Sequence, residues 1–185
     1  MEIKITTNQL LKVLQILCWI IFVGLCVEAG GVLVNTIITL FINAHDVRNF
    51  WDGAAYLTSV YRLDHGYFLV IDVVVIIVAI LKAIMFYLII KLFAEKKISI
   101  SQPFGIELKN FISKQAVLAL GIGFFAHLGY RYITWLTEKG LITANLQSLN
   151  IDGADVWLFM AVILFLITQL IKKGIEIQKE NNLTI

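Results

Sequence analysis

The chain has almost no proline: Pro103 is the only one in 185 residues. It has two cysteines, and charged residues make up only 15% of it. Each scarcity excludes something. With a single proline, long helices can run unbroken everywhere except at residue 103. Cys18 and Cys26 would lie about 12 Å apart along a helix, too far for a disulfide, which needs Cα atoms within about 7 Å. No CxxC or Cys/His spacing points to a metal. A net charge of +2 leaves no basic surface for direct nucleic-acid binding. There is no GxSxG, HExxH, Walker sequence or paired His cluster, so neither an enzyme nor a cofactor is expected. An arginine ladder, internal repeats and interrupted transporter-type helices are also missing.

Apolar residues are abundant. They make up 59% of the chain, and the mean hydropathy is +0.86, whereas a soluble domain is about 45–50% apolar. The excess gathers in four runs, Leu10–Ile42, Tyr67–Ala94, Phe111–Thr137 and Ala154–Ile171. A hydrocarbon core of about 30 Å is crossed by roughly 20 helical residues. The expected fold is therefore an all-α membrane protein, a four-transmembrane-helix bundle in one domain, 1–185. Its helices are expected at about 10–42, 67–94, 111–137 and 154–172. The first run continues well past the length of a signal peptide, and Leu25 stands where a cleavage box wants a small residue, so a retained helix is expected. At about 50 Å it is overlong for one crossing, so its far end projects or the helix tilts. With Asn43–Gly66 it is expected to form a small structured outer loop, with a short helix over Ala54–Tyr61.

Lysine placement sets an orientation. Lys4 and Lys12 precede the first run. Lys96, Lys97 and Lys109 lie between the second and third, and Lys172, Lys173 and Lys179 follow the fourth. The other two connections carry only Arg48, Arg62 and Lys139. The positive-inside rule then places both termini and the middle loop in the cytoplasm. The aromatic residues Trp51, Tyr56, Tyr61, Tyr67, Tyr130, Tyr132, Trp135 and Trp157 gather toward the opposite side, as interfacial rings do.

Ionisable residues within apolar runs cost about 2.5–3.5 kcal/mol each on insertion scales, so each needs a reason. They are Glu28, Asp72, Lys82, His127, Arg131 and Asp155. Counted from the bounding lysines, Glu28, Arg131 and Asp155 share a layer about 25 Å up, and Lys82 sits about 14 Å up, near the midplane. Gly24, Glu28, Gly31 and Asn35 form one stripe of the first helix, and Gly123, His127, Arg131 and Thr134 form one of the third. Small and polar stripes favour close helix contact. Both are therefore expected to face the interior, with Glu28 or Asp155 pairing with Arg131. The expected intramembrane polar site is Glu28, Lys82, His127, Arg131 and Asp155. A packing device is the bland reading of the charged layer; a water-filled pocket or a proton relay is the sharper one.

The tail Lys172-Lys173-Gly174-Ile175-Glu176-Ile177-Gln178-Lys179-Glu180-Asn181-Asn182-Leu183-Thr184-Ile185 closes the chain directly after the fourth run. It resembles the close of a bacterial family of small four-helix membrane proteins known as domain of unknown function 2975. The segment from Ile98-Ser99 through Gln102-Pro103-Phe104 to Glu107 is similar to that family's middle loop. The resemblance implies residence in the bacterial cytoplasmic membrane and a cytoplasmic regulator as partner, and it brings no catalytic residues. Candidate partner contacts are Pro103, Phe104, Glu176, Glu180, Leu183 and Ile185. The resulting expectation is a small integral membrane protein, regulatory or sensory through its cytoplasmic loop and tail. The alternative is a small transporter or channel subunit with a polar intramembrane pocket. Immunity to a membrane-active peptide is a third reading.

Overall fold

A computed structural model describes residues 7–42, 60–95, 105–140 and 149–182. Four long helices account for nearly all of them: α1 (Thr7–Phe41), α2 (His65–Ala94), α3 (Ile106–Glu138) and α4 (Ala154–Asn182). Each is long and apolar enough to cross a membrane, and the chain is read as a multi-pass membrane protein. The helix starts follow local chemistry. Asp64 takes extended backbone angles, and its carboxylate accepts a 2.6 Å hydrogen bond from the Gly66 amide, capping α2. Glu107 and Asp155 place negative charge in the first turns of α3 and α4, where the helix dipole favours it. Gly140 and Gly153 bend the chain on either side of the α3–α4 connection with φ of 68° and 71°.

Each helix packs chiefly on the next: α1 on α2, α2 on α3, and α3 on α4. All three pairings are antiparallel. As α1 advances from Phe22 to Thr36, its partners on α2 step back from Tyr87 to Asp72. Gln115 donates to the Met85 carbonyl at 3.0 Å near one end of the α2–α3 contact, and Tyr67 meets Trp135 edge-on at 6.0 Å near the other. One end of the bundle is thus basic (Lys12, Lys91, Lys114, Lys172) and the other aromatic (Tyr61, Tyr67, Tyr132, Trp135).

The α3–α4 contact is built from small residues. Ala116, Ala119, Gly123 and Ala126 are buried along one stripe of α3, opposite Leu158 and Ala161. Small side chains let transmembrane helices approach closely. The contact of Gly129 with Ile151 sets the level of α4. Gly129 lies about 14 Å below the end of α3 at Glu138, so α3 overtops the start of α4 by that much. The connection fills part of the step: Leu149 and Ile151, each 1% exposed, are wedged among the helices.

α1 is the least buried helix. Its buried side chains are Val32, Asn35 and Thr39, all near the aromatic end, whereas Val13, Ile16, Ile20, Val23 and Val27 are exposed. In a bilayer, lipid covers such a face without cost, because its tails are as apolar as the side chains.

The four helices overlap the expected ones, and their ends differ. α1 begins at Thr7 rather than 10, α2 at His65 rather than 67 and α3 at Ile106 rather than 111, and α4 runs to Asn182 rather than 172. Counting apolar residues finds the hydrocarbon-spanning part, not the helix. Beyond Ile171 the chain offers Lys, Glu, Gln and Ile, all adequate helix formers, and a Lys173–Glu176 pair at 3.4 Å joins adjacent turns. Of the expected outer loop Asn43–Gly66, residues 43–59 lie outside the described residues, as do Pro103, Phe104, Leu183 and Ile185; residues 60–63 are helical, and His65 and Gly66 already belong to α2.

Candidate polar site at the α1, α2 and connection junction

Three polar residues meet where the α3–α4 connection touches α1 and α2. Asn150 sits between buried Leu149 and Ile151 with φ of 53°. This is the left-handed region that Asn tolerates better than most residues. The bend aims its two neighbours into the core and leaves its own polar groups facing the other helices. The Asn150 carbonyl accepts from Lys82 Nζ at 2.8 Å, and its side-chain amide donates to Glu28 Oε1 at 2.5 Å. One neutral residue, through its backbone carbonyl and its side-chain amide, therefore bridges an ammonium on α2 and a carboxylate on α1.

The direction of the lysine follows from helix geometry. Side chains on a helix lean toward its N-terminus, and for α2 that is the aromatic end. Lys82 thus climbs toward Asn150 while its methylene stem stays in apolar surroundings. Its ammonium also lies 5.8 Å from the Trp157 ring centre, within cation–π range. Glu28 and Asp152 are the carboxylates whose fields reach it. Beside the bridge is a cleft of about 10 Å³ lined by Glu28, Val75, Ala79, Lys82, Leu149 and Asn150. That is about the space of a single water.

Nearer the aromatic end, α1 and α2 share a second polar contact. The Thr36 hydroxyl oxygen lies 2.8 Å from the Val32 carbonyl and 2.7 Å from Asp72 Oδ2. Asp72 and Asn35 are 1% and 2% exposed, and among the described residues Asp72 Oδ1 and Asn35 Oδ1 have no hydrogen-bond partner.

The expected five-residue site divides. Glu28 and Lys82 come together through Asn150. His127, Arg131 and Asp155 are exposed instead. Among the described residues Arg131 pairs with neither Glu28 nor Asp155, which corrects the expected ion pair. The expected inward stripe of α3 holds at Gly123, which is buried against Leu158, and fails at His127 and Arg131. The buried face of α3 runs through Ala119, Ala126, Gly129 and Ile133. Arg131 is two residues, about 200°, from Gly129 on a 3.6-residue helix, so it points away. It also stands above the level where α4 begins. His127 and Asp155 line an open, mostly apolar groove of about 290 Å³ with Tyr130, Ile151 and Asp152. On α1 the expected inward stripe holds for Asn35, which is buried, and fails for Gly24, which has nothing near it.

No group of His, Cys, Asp and Glu among the described residues could hold a metal, and Cys18 and Cys26 are free thiols. At the basic end a cleft of about 220 Å³ opens between α2 and α3, lined by Lys91, Glu95, Glu107, Asn110 and Lys114. Glu176, Ile177, Lys179 and Glu180 are exposed on the last turns of α4.

Sequence reasoning missed Asn150 and Thr36. Asn150 lies between apolar runs, and only the Asn-Ile-Asp-Gly turn composition flags it. Thr36 is unremarkable in a transmembrane sequence until its partner is known. No family of proteins, curated protein or solved structure matches the chain.

Proposed function

We propose that this chain is a small regulatory or sensory protein of the bacterial cytoplasmic membrane. It acts through its middle connection and the end of α4, with both termini in the cytoplasm. The orientation rests on the lysines at the basic end, and the bacterial setting on the resemblance to domain of unknown function 2975. The observation that carries the reading is the length of α4. It continues without a break from its apolar segment to Asn182, about 16 Å past Ile171. The contacts of Gly123 with Leu158 and Gly129 with Ile151 set a register that brings the start of α3 opposite Ile175. The turns from Glu176 onward therefore stand clear of α3 and present Glu176, Ile177, Lys179 and Glu180 outward. A hydrocarbon span needs no such extension; a contact in the aqueous phase does.

The test is photocrosslinking in cells that carry the protein natively. A crosslinking residue replaces Ile177 in one variant and lipid-facing Phe159 in another. Discrete protein adducts are expected from position 177, absent from 159, and lost from position 177 when residues 178–185 are deleted with insertion unchanged. Equal adducts from both positions, or none from 177, would refute the reading.

A transporter or channel subunit is the second reading, favoured by the Glu28–Asn150–Lys82 bridge. The one-water cleft beside that bridge is narrow for a path. Flux through liposomes that disappears in Lys82→Met would establish this reading over the first.

A further inference from the structure

Asp72 is buried in the α1–α2 contact, and among the described residues no cation lies within ion-pair reach of it. As a carboxylate it would be an uncompensated charge in a membrane-spanning helix. The Thr36 hydroxyl bears directly on its state. That oxygen lies within hydrogen-bond distance of both the Val32 carbonyl and Asp72 Oδ2. A hydroxyl has one hydrogen to donate, whereas a carbonyl and a carboxylate can only accept. With Asp72 ionised, one of these two close oxygen–oxygen contacts has no hydrogen in it.

One added proton resolves the conflict. Asp72 Oδ2–H then donates to Thr36 Oγ1, and the Thr36 hydrogen goes to the Val32 carbonyl. The unpartnered Oδ1 becomes the carbonyl oxygen of a neutral acid, which is far less costly to bury than part of a charge. We propose that Asp72 is a proton-binding site of the assembled bundle, and that its acid–hydroxyl–carbonyl chain fastens α1 to α2. The proposal is independent of the cytoplasmic-contact reading.

Among the described residues no other buried carboxylate or histidine competes for the proton. From Ala29 to Ile42, α1 has no titratable side chain. The nearest on α2 are Asp64, His65 and Tyr67 toward its start, and Lys82, which is bonded to Asn150. α3 brings His127, Tyr130, Arg131 and Tyr132 to this end, with His127 and Arg131 exposed, and the connection and α4 bring exposed Asp152 and Asp155. Losing the proton leaves a bare charge between two helices, so raising the pH loosens α1 from α2.

Infrared spectroscopy of the full chain in lipid nanodiscs tests this. At neutral pH the wild type should show a protonated-acid carbonyl stretch that Asp72→Asn lacks, insensitive to added sodium or potassium. A wild-type spectrum in which Asp72 contributes only carboxylate bands would overturn the proposal, as would bands that shift with either cation. Thr36→Val should move the acid band to higher frequency by removing its acceptor; an unmoved band would refute the chain. An asparagine amide can donate to Thr36 as the neutral acid does. Asp72→Asn should therefore melt with wild type at neutral pH and lose part of the wild type's fall in melting temperature at higher pH. An unchanged pH dependence in Asp72→Asn would refute the coupling.

Discussion

Gly123→Ala should separate α3 from α4 at their closest approach. A Cβ on Gly123 would meet Leu158 Cγ at 2.8 Å, Leu158 Cδ2 at 2.9 Å and the Leu158 backbone nitrogen at 3.0 Å. The side-chain atoms can rotate aside, but the backbone nitrogen cannot without shifting α4. Overpacking of this kind costs about 1–3 kcal/mol. Alanine's better helix propensity returns at most about 1 kcal/mol. Against a control that gains the same propensity, the full overpacking cost of about 1–3 kcal/mol remains, which lowers the melting temperature of a chain this size by about 2–12 °C. The control is Gly30→Ala, whose Cβ meets nothing within 4 Å and which gains the propensity alone. Both variants and the wild type would be melted in one detergent, followed by circular dichroism. A Gly123→Ala protein as stable as Gly30→Ala would show that α3 and α4 are not in backbone contact there.

Asn150→Gly keeps the positive φ and removes the amide that reaches Glu28. It should cost about 0.6 kcal/mol, the average for a side-chain hydrogen bond in a membrane bundle, and at most about 1.7 kcal/mol, read from the same melts. Leu149→Ala empties a fully buried wedge and should cost about 2–5 kcal/mol, enough to reduce recovery of folded protein on size exclusion. Arg131→Ala, at an exposed position without an ionic partner, should stay within about 0.5 kcal/mol of wild type; a large loss would restore the interior ion pair that the sequence alone favours.

The four helices were legible in the sequence because hydrocarbon thickness imposes a minimum run of apolar residues, and each run meets it. The faces were less legible. On a helix apolar nearly all round, no polar side marks the solvent, so buried and lipid-facing positions look alike. On α3, charge favours an interior stripe through Gly123, His127 and Arg131, yet the interior keeps only Gly123 of these and follows Ala119, Ala126 and Gly129, where size rather than polarity decides. Glu28 and Lys82 were recognisable because ionisable residues are rare in such runs. Their link could not be read, since Asn150 arrives from a connection 122 residues along from Glu28, and tertiary folding alone brings them together.

Cysteine accessibility decides the side of the membrane on which the end of α4 stands, and with it the proposed mode of action. In a background with Cys18 and Cys26 replaced, Glu180→Cys and Lys139→Cys, the latter just past the end of α3, would be treated with a membrane-impermeant maleimide in intact and in permeabilised cells. The expected result is labelling of position 139 in intact cells and of position 180 only after permeabilisation. Labelling of position 180 in intact cells would place the end of α4 outside the cell and contradict a cytoplasmic contact.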